Sequence, residues 1–179
     1  MELQLPQINV SIRSKIMEIR LIKPSDTQKF VDFYEKLARE TDYLMFTPEE
    51  VSEKAAEEEK FIRNYNDYKQ VFIAVEDDNI VGYLGVSRSR LSKTAQTAKF
   101  TIGVLNDCKQ QGIATQLIEF AENWAKEKGI RRLELTVVTE NKPAVSLFEK
   151  TGFEKEGTRK NAVRINGEFY DEYFMAKAI

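Results

Sequence analysis

A chain of 179 residues with 42% hydrophobic content has the size of one ordinary globular domain and can bury a substantial core by itself. Its 29 acidic and 27 basic residues nearly cancel, so no global positive field draws it to nucleic acid or to an anionic membrane. The lone cysteine, Cys108, excludes an internal disulfide, and the absence of histidine excludes Ser-His and Cys-His nucleophilic machinery and leaves a transition metal few ligands.

No apolar run reaches membrane-spanning length, and residues 1–12 alternate polar and apolar side chains without the basic region and apolar block of a signal peptide, so the expected location is cytoplasmic. Residues 1–14 fit an extra edge strand and a loose arm equally. Alternation over residues 16–22 predicts a first strand, stopped by Pro24. Ser25-Asp26-Thr27-Gln28 reads as a capping box before a helix whose core stripe is Phe30, Phe33, Tyr34 and Leu37. Thr47-Pro48-Glu49-Glu50 reads as a second box, opening a helix to about Asn64 with Val51, Ala55 and Ile62 inward and Glu57-Glu58-Glu59 on a solvated face. The connection at residues 40–46 is rich in large side chains and fits either a core plug or a cover over a binding site.

Residues 70–76 and 80–88 are strands joined by the hairpin signal Asp77-Asp78-Asn79, with Gly82 and Gly85 marking a bulge or close packing. Residues 88–94 form a polar, basic loop, best read as an exposed hairpin tip. A strand over residues 98–104 then leads to Lys109-Gln110-Gln111-Gly112-Ile113-Ala114-Thr115 and into an amphipathic helix with Ile113, Leu117, Ile118, Ala121, Trp124 and Ala125 on one face, ending at Gly129. Residues 132–138 alternate as a strand, residues 141–150 form a short helix closed by Gly152 in a left-handed cap, and Ile165-Asn166-Gly167-Glu168 predicts a type I′ hairpin between two final strands.

Two readings fit the stretch at Gly112. A glycine opening a helix often serves only as a turn. Equally, the first amides of a helix lack intrahelical partners and, with the helix dipole, attract an anion such as a pyrophosphate, which Gly112 and Ala114 would let approach and which Thr115 and Lys109 could assist. No Gly-Lys-Ser/Thr loop and no three-glycine dinucleotide fingerprint is present. Lys109-x-x-Gly112-x-Ala114 resembles motif A of the Gcn5-related N-acetyltransferase (GNAT) superfamily, usually Gln/Arg-x-x-Gly-x-Gly/Ala. It departs at Lys109 and at Gln110, where many members carry another glycine. Residues 141–153 resemble the family's Asn-x-x-Ala-hydrophobic-x-Leu-Tyr/Phe-x-x-x-Gly-Phe signature at nearly every position, from Asn141 and Ala144 to Phe148, Gly152 and Phe153. The resemblance runs from about Ile16 to the C-terminus, and residues 166–177 are most similar to the branch containing the RimJ/RimL ribosomal-protein N-acetyltransferases.

The resemblance implies an α/β (α+β) fold of GNAT type: a mixed, mostly antiparallel sheet with splayed central parallel strands, in the order βααβββαβαββ, as a single acetyltransferase domain over residues 1–179. It implies acetyl-CoA as co-substrate without a metal, and transfer of its acetyl group to a primary amine by direct attack. The alternative is a module of the same fold that binds acetyl-CoA or CoA without turnover. Carried over by motif, the cofactor-binding residues are Ile102, Gly103, Val104, Lys109, Gln110, Gln111, Gly112, Ile113, Ala114, Thr115, Asn141, Ala144 and Phe148. Gly103 fits a bulge that turns an amide outward as oxyanion donor, and also tight packing. Phe148 stands where many relatives carry a tyrosine acting as general acid, and Thr136 where some carry a glutamate. The general acid and base therefore stay unassigned, with Glu134, Tyr170 and Tyr173 as weak candidates. The expected partner is a small-molecule or peptide amine, with no nucleic acid and no membrane and with a homodimer left open.

Overall fold

Two-residue turns lay out much of the sheet. The computed structural model describes residues 8–12, 15–53, 62 and 68–179. Asp77 and Asp78 have φ of 49° and 64°, and Asn166 and Gly167 have φ of 50° and 89°, the paired positive values of type I′ hairpins. These turns join β3 (Lys69–Glu76) to β4 (Asn79–Arg88) and β7 (Glu154–Ile165) to β8 (Glu168–Ala178). The other strands are β1 (Ile8–Ile12), β2 (Lys15–Leu21), β5 (Thr97–Val104) and β6 (Arg132–Val138). Together they form one eight-stranded sheet in the order β1-β2-β3-β4-β5-β6-β8-β7. Every neighbouring pair is antiparallel except β5 and β6. The element order is thus the expected one with a strand added in front, because β1 pairs with β2 from Ile8↔Ile19 to Ile12↔Lys15 as an edge strand.

Helix α1 (Thr27–Glu40) lies on one face and buries Phe30, Phe33 and Leu37 against Ile73, Val75 and Tyr83. The expected capping box does not form at its start, since Ser25 lies within a 3-10 turn (Pro24–Asp26) and Gln28 donates to Asp32 at 2.8 Å. The Asp26 carboxylate turns back to the Lys23 amide at 2.7 Å and to the Arg20 guanidinium at 2.6 and 2.9 Å, so it locks β2 to the helix entrance instead of capping α1. The box before α2 (Pro48–Glu53) is present and reciprocal, with the Thr47 amide donating to Glu50 and the Glu50 amide to Thr47 Oγ1. Val51 and Ile62 are buried, while Ala55, the run Glu57-Glu58-Glu59 and the expected end near Asn64 lie outside the described residues.

The opposite face carries α3 (Ile113–Glu127) and α4 (Lys142–Lys150), which bury Leu117, Ile118, Ala121, Trp124, Val145 and Phe148 on Phe72, Leu84, Phe100, Leu133 and Leu135. Lys177 on β8 donates to Glu122 of α3 at 2.5 Å and to the Thr151 carbonyl after α4 at 2.8 Å, so one ammonium fastens both helices to the last strand. The strand glycines divide as packing requires. The register between β3 and β4 slips beside Gly82, at Ala74/Val75, whereas β4 and β5 pair without a break through Gly103. Of the two readings of Gly103, the bulge is not formed and tight packing is: an added Cβ would collide with Leu37 Cδ2 and sit 2.9 Å from Tyr83 Cε1.

Candidate active site

The central parallel pair opens where it would be needed. β5 and β6 are in register only at Thr97↔Arg132, Ala98↔Leu133 and Lys99↔Glu134, and beyond these residues the two strands part. Alternation then decides which groups face the gap. The Leu105 amide bonds the Val81 carbonyl at 3.0 Å, so odd-numbered residues of β5 direct their main chain at β4. By the same alternation the amides and carbonyls of Ile102 and Val104 point into the gap, and that of Gly103 does not.

The chain leaves β5 through a short turn and enters α3 at a left-handed residue, with φ of 60° at Gln110 and 81° at Gly112. No side chain caps the helix, and its first full turn closes with the Gln116 amide on the Gly112 carbonyl at 3.1 Å. The amides of Ile113, Ala114 and Thr115 precede that bond, at the positive end of a 15-residue helix. On the far side of the gap, Asn141 caps α4 by accepting the Ala144 amide at 3.4 Å.

These elements enclose a groove of about 1060 Å³. One wall is Ile102, Gly103, Val104 and the turn residues Lys109, Gln110, Gly112, Ile113, Ala114 and Thr115; the other is Asn141, Ala144 and the outer face of α4. Twelve of the residues singled out in the sequence thus meet here, Tyr170 included. Four do not line it. Gln111 bonds the Asp107 carbonyl at 3.2 Å, and Phe148 is buried beneath α4 with its ring centroid 5.8 Å from that of Phe153. Glu134 accepts from Arg132 Nε at 2.8 Å, in a cluster where Glu156 and Glu134 hold the Arg132 guanidinium charged. Tyr173 lies beneath the Lys155 ammonium, 4.5 Å from the ring centroid.

Other lining residues were not among the named site candidates, although the connection at residues 40–46 had offered a cover over a binding site. Leu37, Arg39 and the loop from Glu40 to Leu44 line it as well, as do Ile165, Asn166 and Tyr170 from the β7–β8 hairpin. Tyr43, Met45 and Phe46 are exposed, so the core-plug reading holds only for Leu44, which packs against the α1 core. Pro143, Ser146, Leu147 and Lys150 extend the α4 wall. Among the described residues no group of three or more His, Cys, Asp or Glu is placed to hold a metal ion, and no helix is long and apolar enough to cross a membrane.

A model of the acetyltransferase (GNAT) domain matches residues 19–174. The chain belongs to the GNAT acetyltransferase family. That membership gives it an enzyme class, N-acetyltransferase. Over 109 residues it is 36% identical to the L-amino acid N-acetyltransferase AaaT of Escherichia coli (strain K12), a match spanning 59% of this chain and 65% of that relative. The crystal structure of a GNAT-family acetyltransferase from Streptococcus pneumoniae superposes with a TM-score of 0.86 at 29% identity, over 91% of this chain and 99% of that one. RimL, a ribosomal-protein acetyltransferase solved in complex with coenzyme A, shares the fold at a TM-score of 0.79 and 17% identity, over 96% of this chain and 98% of its own.

Proposed function

We propose that this GNAT domain, the chain from residue 1 to residue 179, transfers the acetyl group of acetyl-CoA to a primary amine by direct attack, with the cytoplasm as its setting. The observation that carries the reading is the opening of β5 from β6 beside the uncapped start of α3. The donor set suits the molecule: helix amides at a left-handed glycine for a pyrophosphate, then strand amides and carbonyls at Ile102 and Val104 for the amide-bearing arm. Acetyl-CoA supplies a thioester whose thiol is a tolerable leaving group, with a pKa near ~8.5.

The protein's part is to position and to polarise. The amide of Ile102 or Val104 donates to the carbonyl oxygen as it gains charge. The amine nitrogen forms its bond to the carbonyl carbon, the carbon–sulfur bond breaks, and the proton lost by nitrogen goes to water while the thiolate is protonated by water. Asn141, beside the end of β6, holds the arm as well as capping α4. The acceptor enters beside Tyr43 and Tyr170. Its class is a small-molecule or peptide amine, in keeping with relatives named for L-amino acids and for a ribosomal protein. A homodimer is compatible with this reading.

Titration calorimetry with acetyl-CoA tests the site. Wild type should bind, and Gly112→Asp should lose most of that affinity, because it sets a side chain and a negative charge against the phosphates. Unchanged affinity in a folded variant would overturn the assignment. The second reading, a binding module without turnover, draws on Phe148, which is buried and has no proton to give. Thiol release across a panel of amines separates the two readings: binding without release for any amine favours the module.

A further inference from the structure

Three cationic side chains line the groove, Arg39, Lys109 and Lys150, and they differ in what already engages them. Arg39 is 3.8 Å from the Glu35 carboxylate. Lys109 donates to Asn106 Oδ1. Lys142, which also lies at the start of α4, donates to the Thr139 carbonyl at 2.8 Å and sits 3.7 Å from Glu140. The acid next to Lys150 in sequence, Glu149, is held by Lys155 at 2.8 Å. Lys150 is exposed and makes no hydrogen bond or ion pair with any described residue.

Coenzyme A presents two separate anionic groups, a pyrophosphate and a phosphate monoester on the ribose. The α3 amides answer the first. The second is a dianion for most of its time at neutral pH, and it needs a partner displaced from the helix start. Pro143, Leu147 and Lys150 fall at positions i, i+4 and i+7 on the face of α4 that lines the groove. With a rise of about 1.5 Å per residue, Lys150 stands roughly 13 Å along the wall from Asn141. A lysine there is a movable point charge, suited to a phosphate in a wet, open position.

We propose that Lys150 binds the ribose phosphate of coenzyme A and makes the protein select the phosphorylated cofactor over 3′-dephospho-coenzyme A. This rests on reading the groove as the coenzyme A site. The other role for a lysine in the last turn of a helix is to complement the helix dipole, which would not depend on the ligand.

Calorimetry with both ligands on wild type, Lys150→Ala and Lys150→Arg decides between them, with melting curves confirming that each variant is folded. Wild type is expected to prefer coenzyme A by about tenfold, the scale of one charge-assisted contact in a partly exposed position. Lys150→Ala should lose that preference by weakening coenzyme A alone, Lys150→Arg should keep it, and added salt should shrink it in wild type. Equal affinities for the two ligands in wild type, or equal weakening of both in Lys150→Ala, would overturn the inference while leaving the groove reading intact. If wild type binds neither ligand, the groove reading falls and the inference falls with it.

Discussion

Glu40, the last residue of α1, accepts the main-chain amide of Asn106 at 2.7 Å, a contact between positions 66 residues apart in the chain. It fastens the loop after α1 to the turn that opens α3. Asn106 in turn accepts from Lys109, so a short run of hydrogen bonds ties the loop to the turn that lines the groove. Glu40→Ala should release the loop, which is the proposed acceptor side. The expected result is a rise of roughly fivefold in KM for the best amine found by screening, the scale of one partly exposed charged hydrogen bond. Affinity for acetyl-CoA should change by less than about twofold. Steady-state kinetics with the amine varied, together with calorimetry, checks both.

Gly103 is a packing position. A methyl group there meets Leu37 and Tyr83, which hold α1 against the sheet. Gly103→Ala should therefore lower stability by about 2 kcal/mol, in the range of core overpacking. Shortening the neighbour should help: Leu37→Ala in the same chain is expected to cost less than the two single changes added, because it vacates the contested space. Denaturant unfolding of the three variants measures this coupling, and strict additivity would refute the packing account.

The legible parts of the fold were those written locally. Asn166-Gly167 demands a type I′ turn whatever surrounds it, and the stripe from Ile113 to Ala125 can bury only one face. Register and side-chain partners were not local. Residues 8–12 alternate well enough for a strand, but only pairing with β2 decides that they form one. Ser25-Asp26-Thr27-Gln28 has the spelling of a cap, yet Arg20 outcompetes the helix amides for Asp26. In the groove, the family-like motifs supplied the walls nearest the gap, while further lining came from a hairpin, and Lys150 stood out only once its neighbours' partners were visible.

The Arg20–Asp26 pair gives stability a pH dependence of known sign. Burial alone pushes the Asp26 carboxyl up, but the hydrogen bonds from Arg20 and from the Lys23 amide outweigh it and hold the group below its ordinary 3.8. A depressed carboxyl contributes stability that is complete above its unfolded value and is lost as pH falls through the lower folded value. Asp26→Asn should cost about 2 kcal/mol at pH 7, less than a fully isolated buried charge because Glu18 remains 3.4 Å from Arg20. The deficit should shrink as pH drops below about 4. Urea melts of wild type and variant from pH 7 to pH 3 check this, and a deficit constant over that range would show that the pair's charge plays no part.

The last prediction concerns the protons. Acetyl transfer must take one from the amine and give one to the leaving sulfur, and Phe148 can do neither. Of the candidates read from the sequence, Glu134 is engaged by Arg132 outside the groove, and Tyr173 is covered by Lys155. Tyr170 lines the groove together with Tyr43. On the proposed reading water carries both protons, and catalysis comes from position and the oxyanion amide. Glu134→Gln and Tyr173→Phe should then retain turnover within about threefold. Tyr170→Phe should lower it by well under the ~100-fold that follows loss of a dedicated acid or base. The rate at low amine concentration should climb with pH until the amine's own pKa, since only its neutral form attacks. A loss of ~100-fold or more in any one variant, with folding and cofactor affinity preserved, would assign the proton transfer to that side chain instead.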